Sequence, residues 1–309
     1  MTKLGYQIPN FTYPGVAPAD QFGAIKRQAV EADTSGFDTV MVMDHFYQLP
    51  MLGPPELDMI ECYTLLSALA QHTSTVRLSA LVTGNTYRSP ALLAKTVTAL
   101  DVVSGGRAQL GIGAGWFQEE HDSLGFEFGT FTERFEKLEE ALQIIIGMFN
   151  GEKPTLDGTW YRVNEALNVP APLGKIPIMI GGSGEKKTIP LAVKHFDHLN
   201  VIAGFDELRR KLDVVKARCE EIGRDPATLE TSMLVIAIID ENVTEDLIPE
   251  DFRQQAVFGS AERVAEQIKT KVLDAGITGV ILSPVTSLNG YQPGGVTAVA
   301  EALKPHLTG

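Results

Sequence analysis

Residues 76–116 read VRLSALVTGNTYRSPALLAKTVTALDVVSGGRAQLGIGAGW, and this stretch decides the fold. It opens with a β-rich apolar run, 76–82, that leads into a polar turn. Pro90 then starts a helical segment, where its fixed φ and missing N–H are tolerated, and the segment closes near Ser104, Gly105 and Gly106. A second strand-like run, 108–112, ends in glycines and Trp116. Strand, helix and strand together have the length of a right-handed βαβ crossover. Neither apolar run alternates cleanly, as expected of parallel strands covered on both faces.

The same rhythm extends in both directions. Strands are expected at 4–8, 39–43, 177–180, 198–202, 229–239 and 279–282, and helices at 19–34, 59–71, 185–196, 208–222, 260–275 and 296–303. The clearest amphipathic helix holds Phe131, Phe135, Leu138, Leu142, Ile145 and Phe149 at spacings of four and three. Residues 151–175 form an excursion after this fourth helix, with turn residues and a small hairpin around Asp157 and Gly158. Residues 113–130 and 240–259 read as loops, the second acidic, and Ser260 as a helix cap. Eight strands, each followed by a helix, predict one α/β domain over residues 1–309, a closed (β/α)₈ TIM barrel. An open doubly wound sheet is the competitor, but no GxGxxG follows the first strand.

Composition narrows the function classes. The 309 residues are 44% hydrophobic and carry a formal net charge of −13. That balance argues against a general nucleic-acid or anionic-membrane binder, which needs clustered positive charge. The two cysteines, Cys62 and Cys219, read as buried thiols rather than a disulfide framework. The first residues lack a signal-peptide pattern and no apolar run is long enough to span a bilayer, so a cytoplasmic chain is expected.

In a barrel of this kind ligands sit at the C-terminal ends of the strands. That rule selects Asp44 and His45 after the second strand, Thr83, Gly84 and Asn85 after the third, and Gly113, Gly115 and Trp116 after the fourth. Gly181, Gly182, Ser183 and Gly184 follow the fifth, and Asn200 lies in the sixth. His45 is the titratable candidate, since imidazole exchanges a proton near neutral pH. Asp44 either orients its ring or caps the loop. His121, beside Glu119 and Glu120, reads as part of a solvated loop, with a supporting role as the alternative. Three glycines within residues 181–184, ahead of a helix carrying Lys186 and Lys187 in its first turn, suggest a phosphate cradle. A bound anion would offset the unfavourable placement of those lysines. Arg88 and Arg107 read as structural ion-pair formers. No histidine pair has metal-ligand spacing, and no metal is expected.

These residues resemble the luciferase-like monooxygenase superfamily, in its branch of oxidoreductases dependent on the deazaflavin coenzyme F420. The resemblance runs from about Tyr6 to Leu282 and is most specific in ADTSGFDTVMVMDHF (32–46), VTGNTYRSPALLAK (82–95), TALDVVSGGRAQLGIGAGWFQEE (98–120) and IMIGGSG (178–184). It implies a barrel, commonly a homodimer, with the cofactor ring against the end of the third strand near Val82 and Thr83. A non-prolyl cis peptide is implied among Leu81, Val82 and Thr83, and the cofactor phosphate at Gly181, Gly182, Ser183 and Gly184. His45 matches a histidine proposed as proton donor or acceptor, and Asp44, Gly115, Trp116 and Asn200 fall at the cofactor cleft. Sugar-phosphate-oxidising relatives carry a glutamate where Trp116 stands, which points this chain toward reduction or oxidation of another substrate, hydrophobic or unknown. Tyr47 and the loop near Pro54 would shape its pocket. An FMN-dependent monooxygenase and a non-catalytic cofactor-binding relative are the alternative readings.

Overall fold

The computed structural model of the chain describes residues 2–284 and 293–307. Its eight barrel strands are β1 (Lys3–Ile8), β2 (Thr39–Val42), β3 (Arg77–Ala80), β4 (Ala108–Gly113), β5 (Ile178–Gly181), β6 (His198–Val201), β7 (Glu230–Ile239) and β8 (Gly279–Ser283). All are parallel. Each pairs with the next in sequence, and β8 pairs back onto β1, so the sheet closes. The intervening helices are α1 (Gln21–Ser35), α2 (Cys62–Ala70), α3 (Pro90–Ser104), α4 (Phe131–Phe149), α5 (Thr188–His195), α6 (Phe205–Glu221), α7 (Ala261–Lys271) and α8 (Gly295–Leu303). This is the predicted (β/α)₈ order. Among the described residues no helix is long and apolar enough to cross a membrane.

Local chemistry explains the helix starts. The Ser89 side chain caps α3 and places Pro90 at N1, where no donor is lost. Thr130 and Glu133 form a reciprocal capping box on α4, and Ser260 caps α7 as expected. Residues 151–175 contain the antiparallel pair Leu156–Asp157 and Arg162–Val163, the predicted hairpin.

Three segments differ from the sequence reading. Residues 113–130 contain a short helix, Gln118–Leu124. The acidic stretch 240–259 holds another, Glu250–Arg253, and a strand, Ala256–Gly259, that pairs with the upper end of β7. Acidic composition hid a four-residue apolar strand too short to show periodicity. α5 begins at Thr188, so Lys187 is its N-cap and Lys186 lies outside it. Two lysines therefore do not burden its first turn.

Strand residues alternate between two environments. Leu4, Tyr6, Val40, Leu78, Leu110, Ile178, Leu199, Val235 and Leu282 join the main core under the helices. Met41, Met179 and Ile281 pack together inside the barrel, with Leu81, Val82 and Leu234 above them. Arg107 corrects another expectation: its guanidinium donates to the carbonyls of Ala70, Thr73, Val76 and Ser104 rather than forming an ion pair among the described residues. It closes the lower ends of α2 and α3.

His198 begins β6 with only 8% of its surface exposed, and its Nε2 lies 2.7 Å from Ser232 Oγ. Burial pushes its imidazole down from 6.5 to about 4. The unfolded chain then binds the proton first, so stability falls as pH drops from about 6.5 and levels below about 4. The shift corresponds to about 3 kcal/mol. Urea unfolding of His198→Gln between pH 7.5 and 4 should show a shallower loss than the parent; an unchanged slope contradicts this role.

Candidate functional site

A cleft of about 340 Å³ opens at the C-terminal end of the barrel, within the range of small-molecule sites, roughly 300–1,000 Å³. Its base is Leu81 and Val82, joined by a cis peptide at the position the resemblance implies. Beyond it, Thr83–Gly84 resumes pairing with β4. Val82 projects toward two bare glycines. A Cβ on Gly113 would stand 3.1 Å from Val82 Cγ2, and one on Gly181 3.3 Å from it. The glycines thus make room for an apolar platform on which a flat ligand can lie. Gly115, at φ 88°, is fixed more tightly, since a Cβ there would lie 2.7 Å from Thr86 Oγ1. Trp116 follows it, 55% exposed, with its ring edge-on to His45 at 5.7 Å between centroids.

His45 lies on the cleft wall with its ring held from behind. Its Nδ1 is 2.9 Å from Glu120 Oε2. Glu120 is fully buried. Its Oε1 accepts the amides of Phe46 at 2.5 Å and Tyr47 at 2.9 Å, and its Oε2 also accepts the Tyr87 hydroxyl at 2.5 Å. Burial alone would raise this carboxyl. The bonds from His45, Tyr87 and the Tyr47 amide outweigh it and hold the group below its ordinary value. Burial and the neighbouring carboxylate push the Tyr87 phenol up, so it stays a donor.

The partner of His45 is therefore Glu120 and not Asp44. Asp44, 2% exposed, is gripped by Arg88 through two bonds of 2.7 and 2.9 Å, and Arg88 also reaches Glu61 at 2.6 Å. The arrangement is a bidentate ion pair, the role expected of Arg88. Burial works against the guanidinium charge, but Asp44 outweighs it and raises Arg88 above its ordinary value. Asp44 Oδ2 also lies 3.3 Å from the Gly84 amide, tying β2 to the turn after β3. Thr83 is bound from behind by Tyr63, hydroxyl to hydroxyl at 2.6 Å.

Of the predicted residues, Asp44, His45, Val82, Thr83, Gly84, Gly113, Gly115, Trp116, Gly181 and Asn200 line the cleft. Gly182, Ser183 and Gly184 continue from its edge toward α5. Lys211, from α6, donates to Ser183 O at 3.3 Å and to Glu185 Oε1 at 2.7 Å, bringing positive charge beneath that loop. Lys211 and Arg210 hold the Glu185 carboxyl down at about 2. Asn85 is buried outside the lining, with Nδ2 3.3 Å from Tyr161 Oη. His121 is not solvated: it is fully buried. Its Nδ1 is 2.8 Å from Phe117 O and its Nε2 2.7 Å from Thr86 Oγ1. The carbonyl can only accept, so Nδ1 carries a proton.

The reading from sequence missed Glu120, Tyr87, Leu234, Ile202 and Gln255, all in or behind this cleft. Phe117, Glu120 and His121 share one helical face at spacings of three and four, a signal available in the sequence. Leu234 comes from β7, Ile202 directly follows β6 and Gln255 precedes the Ala256–Gly259 strand, with no motif of their own. Among the described residues no cluster of side chains could hold a metal ion.

The pattern of the family described as luciferase-like monooxygenase matches residues 2–247. A 5,10-methylenetetrahydromethanopterin reductase of Archaeoglobus fulgidus is 35% identical over 285 residues, 90% of this chain and 73% of that protein. An F420-dependent glucose-6-phosphate dehydrogenase of Microbacterium testaceum is 34% identical over 175 residues, 56% of this chain and 51% of that protein. The chain thus spans about half the length of several relatives that it matches. Among solved structures, an F420-dependent secondary alcohol dehydrogenase in complex with an F420-acetone adduct superposes with a TM-score of 0.82 at 21% identity, covering 100% of this chain and 99% of that one. The FMN-bound oxygenating constituent of 3,6-diketocamphane monooxygenase from Pseudomonas putida gives 0.78 at 18%, covering 99% of each chain. At these identities the two structures share the barrel fold with this chain.

Replacing Arg88 with Met leaves Asp44 buried without its partner, a loss of about 3–5 kcal/mol. Adding Asp44→Asn should recover part of it. Urea unfolding of the single and double variants measures both, and a single-variant loss below about 1 kcal/mol contradicts the buried pair.

Proposed function

The chain belongs to the luciferase-like monooxygenase family, and from that premise we propose an oxidoreductase that transfers hydride between bound coenzyme F420 and a small, uncharged organic substrate. The observation that carries this reading is His45, backed by a buried carboxylate, at the edge of a glycine-bared apolar platform. A flat tricyclic ring fits that platform, because Gly113 and Gly181 carry no side chain where Val82 projects. Val82, Thr83, Gly115, Trp116 and Asn200 would hold the ring, with Asp44 in the wall behind. Gly181, Gly182, Ser183 and Gly184 would take the phosphate, with Lys211 beneath them.

The deazaflavin, when bound, supplies or accepts the hydride. The protein's share is orientation, exclusion of water and one proton. Nδ1 of His45 is committed to Glu120, so Nε2 is the nitrogen left to exchange a proton with substrate. In a carbonyl reduction, carbon gains the hydride and oxygen gains the His45 proton; oxidation of the alcohol runs the same transfers backward.

The wall also limits the substrate. Among the described residues, no lysine or arginine lines the cleft, and the carboxylate of Asp44 is already paired. A phosphorylated substrate finds no counter-charge there, whereas Trp116, Ile202 and Leu234 offer apolar contact.

Titration with F420 and, separately, FMN tests the cofactor. F420 should quench tryptophan fluorescence tightly, and most of that quench should vanish in Trp116→Phe. Tight FMN binding without F420 binding contradicts the proposal. In a turnover assay, His45→Ala should lower kcat by about 10²–10⁴ with little change in F420 affinity; undiminished turnover removes His45 from the chemistry.

A further inference from the structure

Glu120 lies behind His45 and does not line the cleft, yet its four contacts determine what His45 can do. Both Glu120 oxygens serve only as acceptors. Oε1 takes the Phe46 and Tyr47 amides, which cannot reverse their polarity. Oε2 faces the Tyr87 hydroxyl and His45 Nδ1. A carboxylate so placed requires a proton on the nitrogen that meets it. We infer that Glu120 is a positioning residue that fixes His45 as the Nδ1–H tautomer and so presents an unprotonated Nε2 lone pair to the cleft whenever the ring is neutral. The inference rests on the proposed proton exchange for its consequence, but the tautomer itself does not depend on substrate or cofactor.

Among the described residues, no other charged group makes an ion pair or hydrogen bond with the ring. Asp44, its neighbour in sequence, is held by Arg88, and Arg88 also binds Glu61. His121 is bound at both nitrogens, to the Phe117 carbonyl and the Thr86 hydroxyl. Trp116 and Phe117 meet the His45 ring edge-on, with centroids at 5.7 and 5.8 Å. They confine it sideways and offer its nitrogens no acceptor. The orientation of the imidazole therefore comes from Glu120, as the orientation of a catalytic histidine commonly comes from a carboxylate behind it.

The consequence is a division of labour. With Nδ1–H pinned, the neutral ring is ready to take a proton from an alcohol, and the protonated ring to return one to a carbonyl oxygen, both through Nε2. An amide in place of the carboxylate reverses the pattern. In Glu120→Gln, Oε1 keeps the two backbone amides and the –NH₂ turns toward His45, so Nδ1 must accept and the proton moves to Nε2.

Nitrogen NMR of the protein with 15N-labelled histidine reads this directly, with His45 identified by the signal lost in His45→Asn. In the parent protein with the ring neutral, Nδ1 should appear protonated and Nε2 bare. The opposite tautomer overturns the inference without any Glu120 variant. In Glu120→Gln the two should exchange, and kcat for alcohol oxidation should fall at least tenfold while KM changes little. A Glu120→Gln protein that keeps the parent tautomer also overturns it. If His45→Ala retains full turnover but the tautomer exchanges as expected, the proton-transfer reading fails and the positioning role stands.

Discussion

The structure depends on how closely β3 and β4 approach. At Gly111 a Cβ would stand 2.1 Å from the Ala80 carbonyl oxygen and 3.0 Å from Met179 Cε. Only glycine permits the contact, and with it the barrel interior can be filled by Met41, Met179 and Ile281. Gly5 makes the same concession to Ile281, whose Cγ1 would lie 2.9 Å from a Cβ there. The filled layer ends at Leu81, Val82 and Leu234, and the cleft starts there. Packing below and vacancy above thus arise from one alternation of glycine and large apolar side chains along the strands.

The carboxylates brought this deep beside the cleft are paired rather than left to water. Asp44 and Arg88 hold the turn after β3 against β2, and Tyr63 supports Thr83. Glu120 gathers two amides, a phenol and an imidazole around one carboxylate. Each pairing joins segments distant in sequence, and together they fix the orientations of the side chains that edge the cleft. A buried charge contributes little net stability. What these pairs contribute is a defined geometry, which a site that transfers hydride and proton requires within fractions of an ångström.

The barrel was legible because each βα unit declares itself locally. Continuous apolar strands, Ser89 and Pro90 ahead of α3, and the stripe from Phe131 to Phe149 are features of neighbouring residues. The cleft was legible to the extent that barrel topology places strand ends together, which brought Asp44, His45, Trp116, Gly181 and Asn200 into one list. The partners of those residues were not. Glu120 stands 75 positions from His45, and its role depends on a seven-residue helix, Gln118–Leu124. Leu234 and Gln255 reach the site through β7 and the residue preceding the Ala256–Gly259 strand. Such assignments rest on tertiary contacts that periodicity and spacing do not encode. His121 was misplaced for the same reason: within EEHD, Glu119 and Asp122 stay exposed while Glu120 and His121 are buried.

The central claim is that one cleft holds a deazaflavin ring on Val82 beside His45, with its phosphate at the glycine loop. The most direct measurement is a crystal structure of the protein grown with F420. The account predicts the ring against Val82, within reach of Trp116, and the phosphate among Gly181, Gly182, Ser183 and Gly184. A ring bound elsewhere, or a phosphate held away from that loop, would contradict it.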